Sequence, residues 1–264
     1  MVNISVGGYN VGLVLPTDFV YFAWYRMIYL INNPCTLPSS NFILAISGIG
    51  KVIESFQNIG QSSISNVQKS VQKDVEGSFM SIPDGNTILQ MFGPWLFQAC
   101  SIKHTDLGAK KGKAEAYGIL CRIFCHSQRK ENFLRNYITQ FYLALTEGLH
   151  TDSCLPIILM NTTSLFATEL EGVRMMVPDF VVGIKMILPK LAPGFETDVP
   201  LENLRLAAIK IASTIMCLPN HFEKVSLRTN WNVGLHQNGD KLVNNDPDEI
   251  VVNELVSYYH LLIN

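Results

Sequence analysis

Apolar residues recur every three or four positions along most of this chain, and that period limits what it can fold into. Between residues 201 and 218, Leu201, Leu204, Ala208, Ile211, Ile215 and Leu218 fall in line, which places them on one face of a 3.6-residue helix. Residues 133–149 carry Leu134, Ile138, Phe141 and Leu145 at the same spacing. So do residues 42–58 (Ile43, Ile46, Ile49, Ile53) and residues 110–125 (Ala116, Leu120, Ile123, Phe124). A further stripe, Val181, Ile184 and Leu188, follows Pro178, a residue suited to the first turn of a helix. Alternating, strand-like text is scarce: only residues 4–15 and 173–177 read as extended.

Punctuation separates the helices. The aromatic-rich segment 19–31 ends at Asn32-Asn33-Pro34, where proline lacks the N–H that a continuing helix requires. A helix beginning near Asn86 contains Pro94, which predicts a kink or a restart. A short helix is expected at 155–159. The polar text at 60–84 reads as a surface loop, or a weak helix inside one, and Pro219 closes the last strong helix. The expected organisation is a helical-repeat-like region over 17–225 containing that loop. A polar linker over 226–248 and a short terminal helix or unassigned tail over 249–264 follow. The fold class this predicts is all-α, a HEAT/armadillo-like array in which helix pairs stack on their neighbours. An irregular helical bundle is the alternative.

Composition narrows the function. The 264 residues are 48% hydrophobic and 16% charged, against about 25% charged in ordinary soluble domains. A chain this apolar does not stay disordered. With 20 Lys+Arg against 22 Asp+Glu it has no basic excess for a nucleic-acid backbone. A membrane span needs about 20 largely apolar residues; segment 19–31 is shorter and contains Arg26. The first residues lack the basic region and compact apolar block of a signal peptide. A cytoplasmic protein with no membrane span is expected. The cysteines at 35, 100, 121, 125, 154 and 217 are scattered in apolar helical text, as buried reduced thiols are.

Motifs for chemistry fall short. Ser47-Gly48-Ile49-Gly50-Lys51 and Gly108–Ala114 both miss the phosphate-loop spacing and its closing hydroxyl. Cys121 and Cys125 share a helical face but have no second ligand pair. The six histidines form no metal spacing, and Ser47 and Ser164 lack a nucleophile elbow. No catalytic, cofactor-binding or metal residue is assigned. Glu115, Arg122, Asp179 and Lys185 sit in apolar helical text as solvent-facing charges or as a polar seam. Trp24, Trp95, Phe97 and Tyr142 are bulky enough to anchor an interface, with core packing as the simpler role.

Specific stretches carry a resemblance. TILQMFGPWLFQAC, GKAEAYGILCRIFC, YITQFYLALTEGLH, GVRMMVPDFVVGIKMILP and LENLRLAAIKIASTIMCLPNHF resemble the helical region of the Ral GTPase-activating protein complex, its beta subunit more than its alpha subunit. WYRMIYLINNPCTLPSSN is a weaker match, and AEAYGILCRIFC is the most specific. The resemblance spans roughly residues 20–225. It implies a non-catalytic scaffold that pairs with a catalytic alpha subunit and acts on Ral-type small GTPases indirectly. The catalytic asparagine of such complexes lies in a Rap-GAP-like domain that no segment here resembles, so no catalytic residue carries over. Trp95, Cys121, Arg122, Phe124, Cys125, Phe141, Tyr142, Pro178 and Pro219 fall on family-like positions and are expected to pack, cap or line an interface. A helical bundle that encloses a lipid or small apolar ligand is the alternative function.

Overall fold

The computed structural model describes residues 4–6, 9–11, 17–67, 84–103, 106–126, 132–168, 170–188, 194–221, 226–228 and 249–251. The architecture is all-α, as the stripes predict. The helices are α1 (Thr17–Ile31), α2 (Ser39–Val67), α3 (Gly85–Cys100), α4 (Leu107–Cys125), α5 (Arg135–Leu149), α6 (Leu155–Asn161), α7 (Val177–Lys185) and α8 (Leu201–His221). Two short antiparallel pairs accompany them: β1 (Ile4–Val6) with β2 (Tyr9–Val11), and β3 (Ser226–Arg228) with β4 (Glu249–Val251). The chain divides into two compact units, Met1–Gly112 and Lys113–Asn264, with the boundary inside α4.

In the first unit, α1 ends where the sequence says it should. Asn32 adopts φ 64°, a left-handed conformation that asparagine tolerates at a helix C-terminus. Its carbonyl accepts a hydrogen bond from the indole N–H of Trp95 at 3.0 Å, so the end of α1 is fastened to α3. Trp24 packs on Phe92 with ring centroids 4.3 Å apart, and Phe42 meets Trp95 at 5.9 Å. Two side-chain caps start helices. Asp84 accepts from the Thr87 N–H at 2.8 Å, and Asp106 accepts from the Ala109 N–H at 2.6 Å. The Ser39 hydroxyl donates to the other oxygen of Asp106. A Cβ on Gly112 would overlap the Phe42 ring, so glycine is what allows α4 to start against α2.

In the second unit, the short apolar α6 packs against α5 and α8, and α7 also packs against both. Leu204, Ala208, Ile211 and Ile215 of α8 are buried, as are Ile138, Phe141 and Leu145 of α5. A Cβ on Gly183 of α7 would lie 2.7 Å from Leu155 Cδ1 of α6, another close helix approach.

Several boundaries differ from expectation. The second helix runs on to Val67, into text read as a loop; residues 68–83 lie outside the described residues. Helix α3 neither stops nor restarts at Pro94. Pro94 and Gln90, whose carbonyl loses its helical partner, are both exposed, so the missing bond falls on the solvent side of the helix. Residues Val173–Met176 form a 3-10 turn leading into α7, not an extended piece. Helix α8 passes through Pro219 to His221. Glu249–Val251 is a strand, and residues 252–264, most of the segment expected as a terminal helix or unassigned tail, lie outside the described residues. Among the described stripe members, Leu188 and Leu201 are only half-buried and two are exposed. Ile43 yields its place to Phe42, and Leu134 is the half-exposed N-cap of α5.

Candidate functional site

The side chains singled out by sequence gather mainly in the second unit, around α4, α5 and α6. Arg122 lies on α4 one helical face from Glu115, with Gly118 between them. Its Nη2 donates to Glu115 Oε1 at 2.8 Å, and its Nη1 donates to Asn161 Oδ1 of α6 at 3.2 Å. Asn161 Nδ2 in turn donates to the Ile157 carbonyl at 2.8 Å. Gly118 makes the seam possible: a Cβ there would meet Ile157 Cγ2 at 2.9 Å and Arg122 Nη1 at 3.3 Å. The order Glu-Ala-Tyr-Gly-Ile-Leu-Cys-Arg therefore has a physical meaning. Gly118 admits α6, and Arg122, braced by Glu115 on its own helix, reaches Asn161 of α6. Asn161 is the member sequence reasoning missed, because it joins through tertiary contact.

Phe124, at the end of α4, stacks on Phe141 of α5 with centroids 4.0 Å apart and planes 10° from parallel. Phe133 leans on it at 4.6 Å, and Tyr142 lies 6.0 Å from Phe141. Such aromatic contacts add about 0.5–1.5 kcal/mol beyond area burial. Cys121 is fully buried. Cys125 is hydrogen-bonded to Ser164, and burial pushes its thiol up to about 12, so it is a protonated packing group. None of the six cysteines is in a disulfide. Among the described residues, no group of three His, Cys, Asp or Glu side chains stands where it can hold a metal ion.

Tyr142 and Pro178 belong to an open groove of about 450 Å³ between α5 and the start of α7. The Tyr142 hydroxyl donates to the Glu171 carbonyl at 2.7 Å, and burial, then the Glu171 charge, raise its pKa. Leu143 and Met175, 69% and 52% exposed, form its rims. Arg135 pairs with Glu171 at one end. At the other end Asp179 Oδ2 accepts from Thr146 Oγ1 at 3.4 Å, and burial raises the Asp179 pKa against the opposing pull of His150. A second open cleft of about 420 Å³ is lined by Cys125, Phe133, Ser164 and Leu170 among others. Trp95 stands apart, buried in the first unit, and the side chain of Pro219 lies outside the described residues. Of the four charges read as a seam, Glu115 and Arg122 are joined, Asp179 lines the groove, and Lys185 is exposed at the end of α7.

These features define an all-helical protein whose polar side chains latch helices to one another and whose surface offers open grooves. Comparison with curated proteins adds relatives to that class. The chain is 33% identical over 210 residues to a Rap-GAP domain-containing protein of Dictyostelium discoideum, covering 79% of this chain and 11% of the relative. It is 36% identical over 120 residues to the human Ral GTPase-activating protein subunit beta, covering 43% of this chain and 8% of the relative. The mouse subunit beta is 31% identical over 115 residues. The resemblance read from the residue stretches is thus borne out, and the chain spans about a tenth of the length of these relatives. No protein-family model and no solved structure matches it. Among the described residues, no helix is long and apolar enough to cross a membrane.

Proposed function

We propose that this chain is part of the non-catalytic helical scaffold of a GTPase-activating complex that acts on Ral-type small GTPases, in the manner of a subunit beta. The similarity over 79% of the chain to a Rap-GAP domain-containing protein carries the reading, joined by the similarity to subunit beta. Its partner is a catalytic alpha-type chain, its contact with the GTPase is indirect, and its place is the cytoplasm. The helices stack as a HEAT- or armadillo-like array in that scaffold. Trp95, Cys121, Arg122, Phe124, Cys125, Phe141, Tyr142, Pro178 and Pro219 serve it by packing and seam formation.

The test is co-purification with a catalytic alpha-type chain, followed by single-turnover GTP hydrolysis on a Ral-type GTPase. This chain alone is expected to leave the intrinsic rate unchanged, and the catalytic chain is expected to be retained on it. Stimulation by this chain alone, or failure to retain the catalytic chain, would overturn the reading. Both clefts are open to solvent and neither encloses an apolar ligand, which favours the scaffold over a lipid-binding bundle.

A further inference from the structure

The groove between α5 and α7 has an order that packing alone does not require. From Arg135 to Thr146, helix α5 rises about 16 Å, three turns, and the groove follows it over that length. Its floor is apolar, with Ile138, Met176 and Pro178 all buried. Its rims are Leu143 and Met175, two large apolar side chains left in water on facing elements. Methionine in such a place adapts its shape to what it contacts.

The charges are uneven. The Arg135 guanidinium and the Glu171 carboxylate neutralise each other at one end. At the other, the half-buried Asp179 has one long hydrogen bond, from Thr146. Among the described residues no lysine or arginine stands within ion-pair distance of it. His150, at the end of α5, acts on Asp179 through its charge, and its Nδ1 lies 2.7 Å from the Thr146 carbonyl, within hydrogen-bond reach. A carboxylate held partly out of water with no lysine or arginine paired to it is complementary to an incoming one.

We infer that this groove docks an amphipathic helix of a partner protein that lays one apolar side chain between Leu143 and Met175 and carries a lysine or arginine about one turn away, against Asp179. Apolar anchors spaced along one face of a short helix are the form that such a groove accepts. The inference concerns this surface alone and holds whatever complex the chain enters.

The test uses the full chain, immobilised, and a phage-displayed library of alanine-based helices about four turns long, randomised along one face. Selection is expected to enrich a Leu, Met or Phe with a Lys or Arg one turn from it. The Asp179→Asn variant is expected to bind the selected helix about tenfold more weakly. Met175→Glu is expected to abolish binding, with the melting temperature of both variants confirming that they fold. The methyl resonances of Leu143 and Met175 should shift on binding. Enrichment of acidic residues, no enrichment, no binder, or equal affinity for Asp179→Asn would each overturn the inference. Binding to phosphatidylcholine vesicles that Met175→Glu blocks would assign the groove to lipid and overturn it too.

Discussion

Replacing Gly148 by alanine tests whether helices in the second unit approach as closely as described. Gly148 is buried near the end of α5. A Cβ there would lie 2.6 Å from Ile158 Cδ1, 2.7 Å from Tyr117 Cε1 and 2.9 Å from Tyr117 Cζ. Ordinary carbon–carbon contacts are about 3.5–4.0 Å, so something must retreat by about 1 Å in an interior packed like an organic crystal. The Ile158 methyl is a flexible tip, but the Tyr117 ring is 1% exposed and rigid. Overpacking of this kind costs about 1–3 kcal/mol. Against it stands the gain of alanine over glycine in a helix, about 1 kcal/mol in the interior and less in a last turn. The net expectation is a loss of about 1–2 kcal/mol, a melting temperature lower by roughly 2–8 °C in a chain of this size. Gly48→Ala is the control. Nothing lies within 4 Å of its Cβ position on an exposed part of α2, so only the propensity gain applies. Calorimetry and urea titration should show Gly148→Ala destabilised and Gly48→Ala at least as stable as wild type. A Gly148→Ala chain that melts at or above the wild-type temperature would refute the close approach of α4, α5 and α6.

Arg122→Ala should cost about 1 kcal/mol or less, because the Arg122 and Glu115 side chains are 38% and 41% exposed and such pairs are screened by water. The loss should shrink in molar salt, and an unchanged melting temperature at low salt would remove the seam from the stability of the unit. Cys125, with its thiol pushed up to about 12, should react with iodoacetamide at pH 8 about a thousandfold more slowly than a peptide cysteine; mass spectrometry of a timed alkylation checks this, and a peptide-like rate would place the thiol in solvent. Asp179→Asn should stabilise the isolated chain at pH 7. The folded-state pKa of Asp179 is raised, so the native state favours the protonated form, and the stability this contributes is present below the ordinary carboxylate range and is lost as pH rises through the folded value. The advantage of the Asp179→Asn variant should therefore vanish in urea titrations below about pH 4, and an Asp179→Asn chain less stable at pH 7 would reverse the sign argued here.

The helices were legible because burial in them is a one-dimensional pattern. Of the α8 stripe, Leu204, Ala208, Ile211 and Ile215 are buried, Leu201 is half-buried and the side chain of Leu218 lies outside the described residues, and the end of α1 falls at Asn32-Asn33-Pro34. The errors have a common origin. A stripe shows which face is apolar but not where a neighbouring helix crosses it, so Phe42 and not Ile43 reaches the core of the first unit. Proline rules count a lost bond but not its place: at Pro94 it faces water, and α3 continues. The candidate surface was the least legible part. Tyr142, Pro178 and Asp179 stood out by residue type, whereas Leu143 and Met175 look like any apolar residues until tertiary contact leaves them uncovered.

The same logic accounts for a chain with so few charges. Much of the 48% hydrophobic content is core, yet each unit leaves a set of large apolar side chains in water. In the first unit, α1 buries Trp24 but leaves Phe22, Tyr25, Met27, Tyr29 and Leu30 exposed. A helix apolar on every side is ordinarily covered on more than one, and contiguous exposed apolar groups mark contact surfaces. In the second unit the groove adds a signature that apolarity lacks. An asparagine in place of Asp179 would match the carboxylate in shape, keep the Thr146 hydrogen bond and avoid the cost of a desolvated charge. Burial makes a carboxylate there a cost to the isolated fold that His150 only partly offsets, and on the docking inference a partner's lysine or arginine turns it into an advantage. Stability and recognition thus pull in opposite directions at one side chain. The variant that makes this chain more stable alone should be the one that holds its partner helix less well.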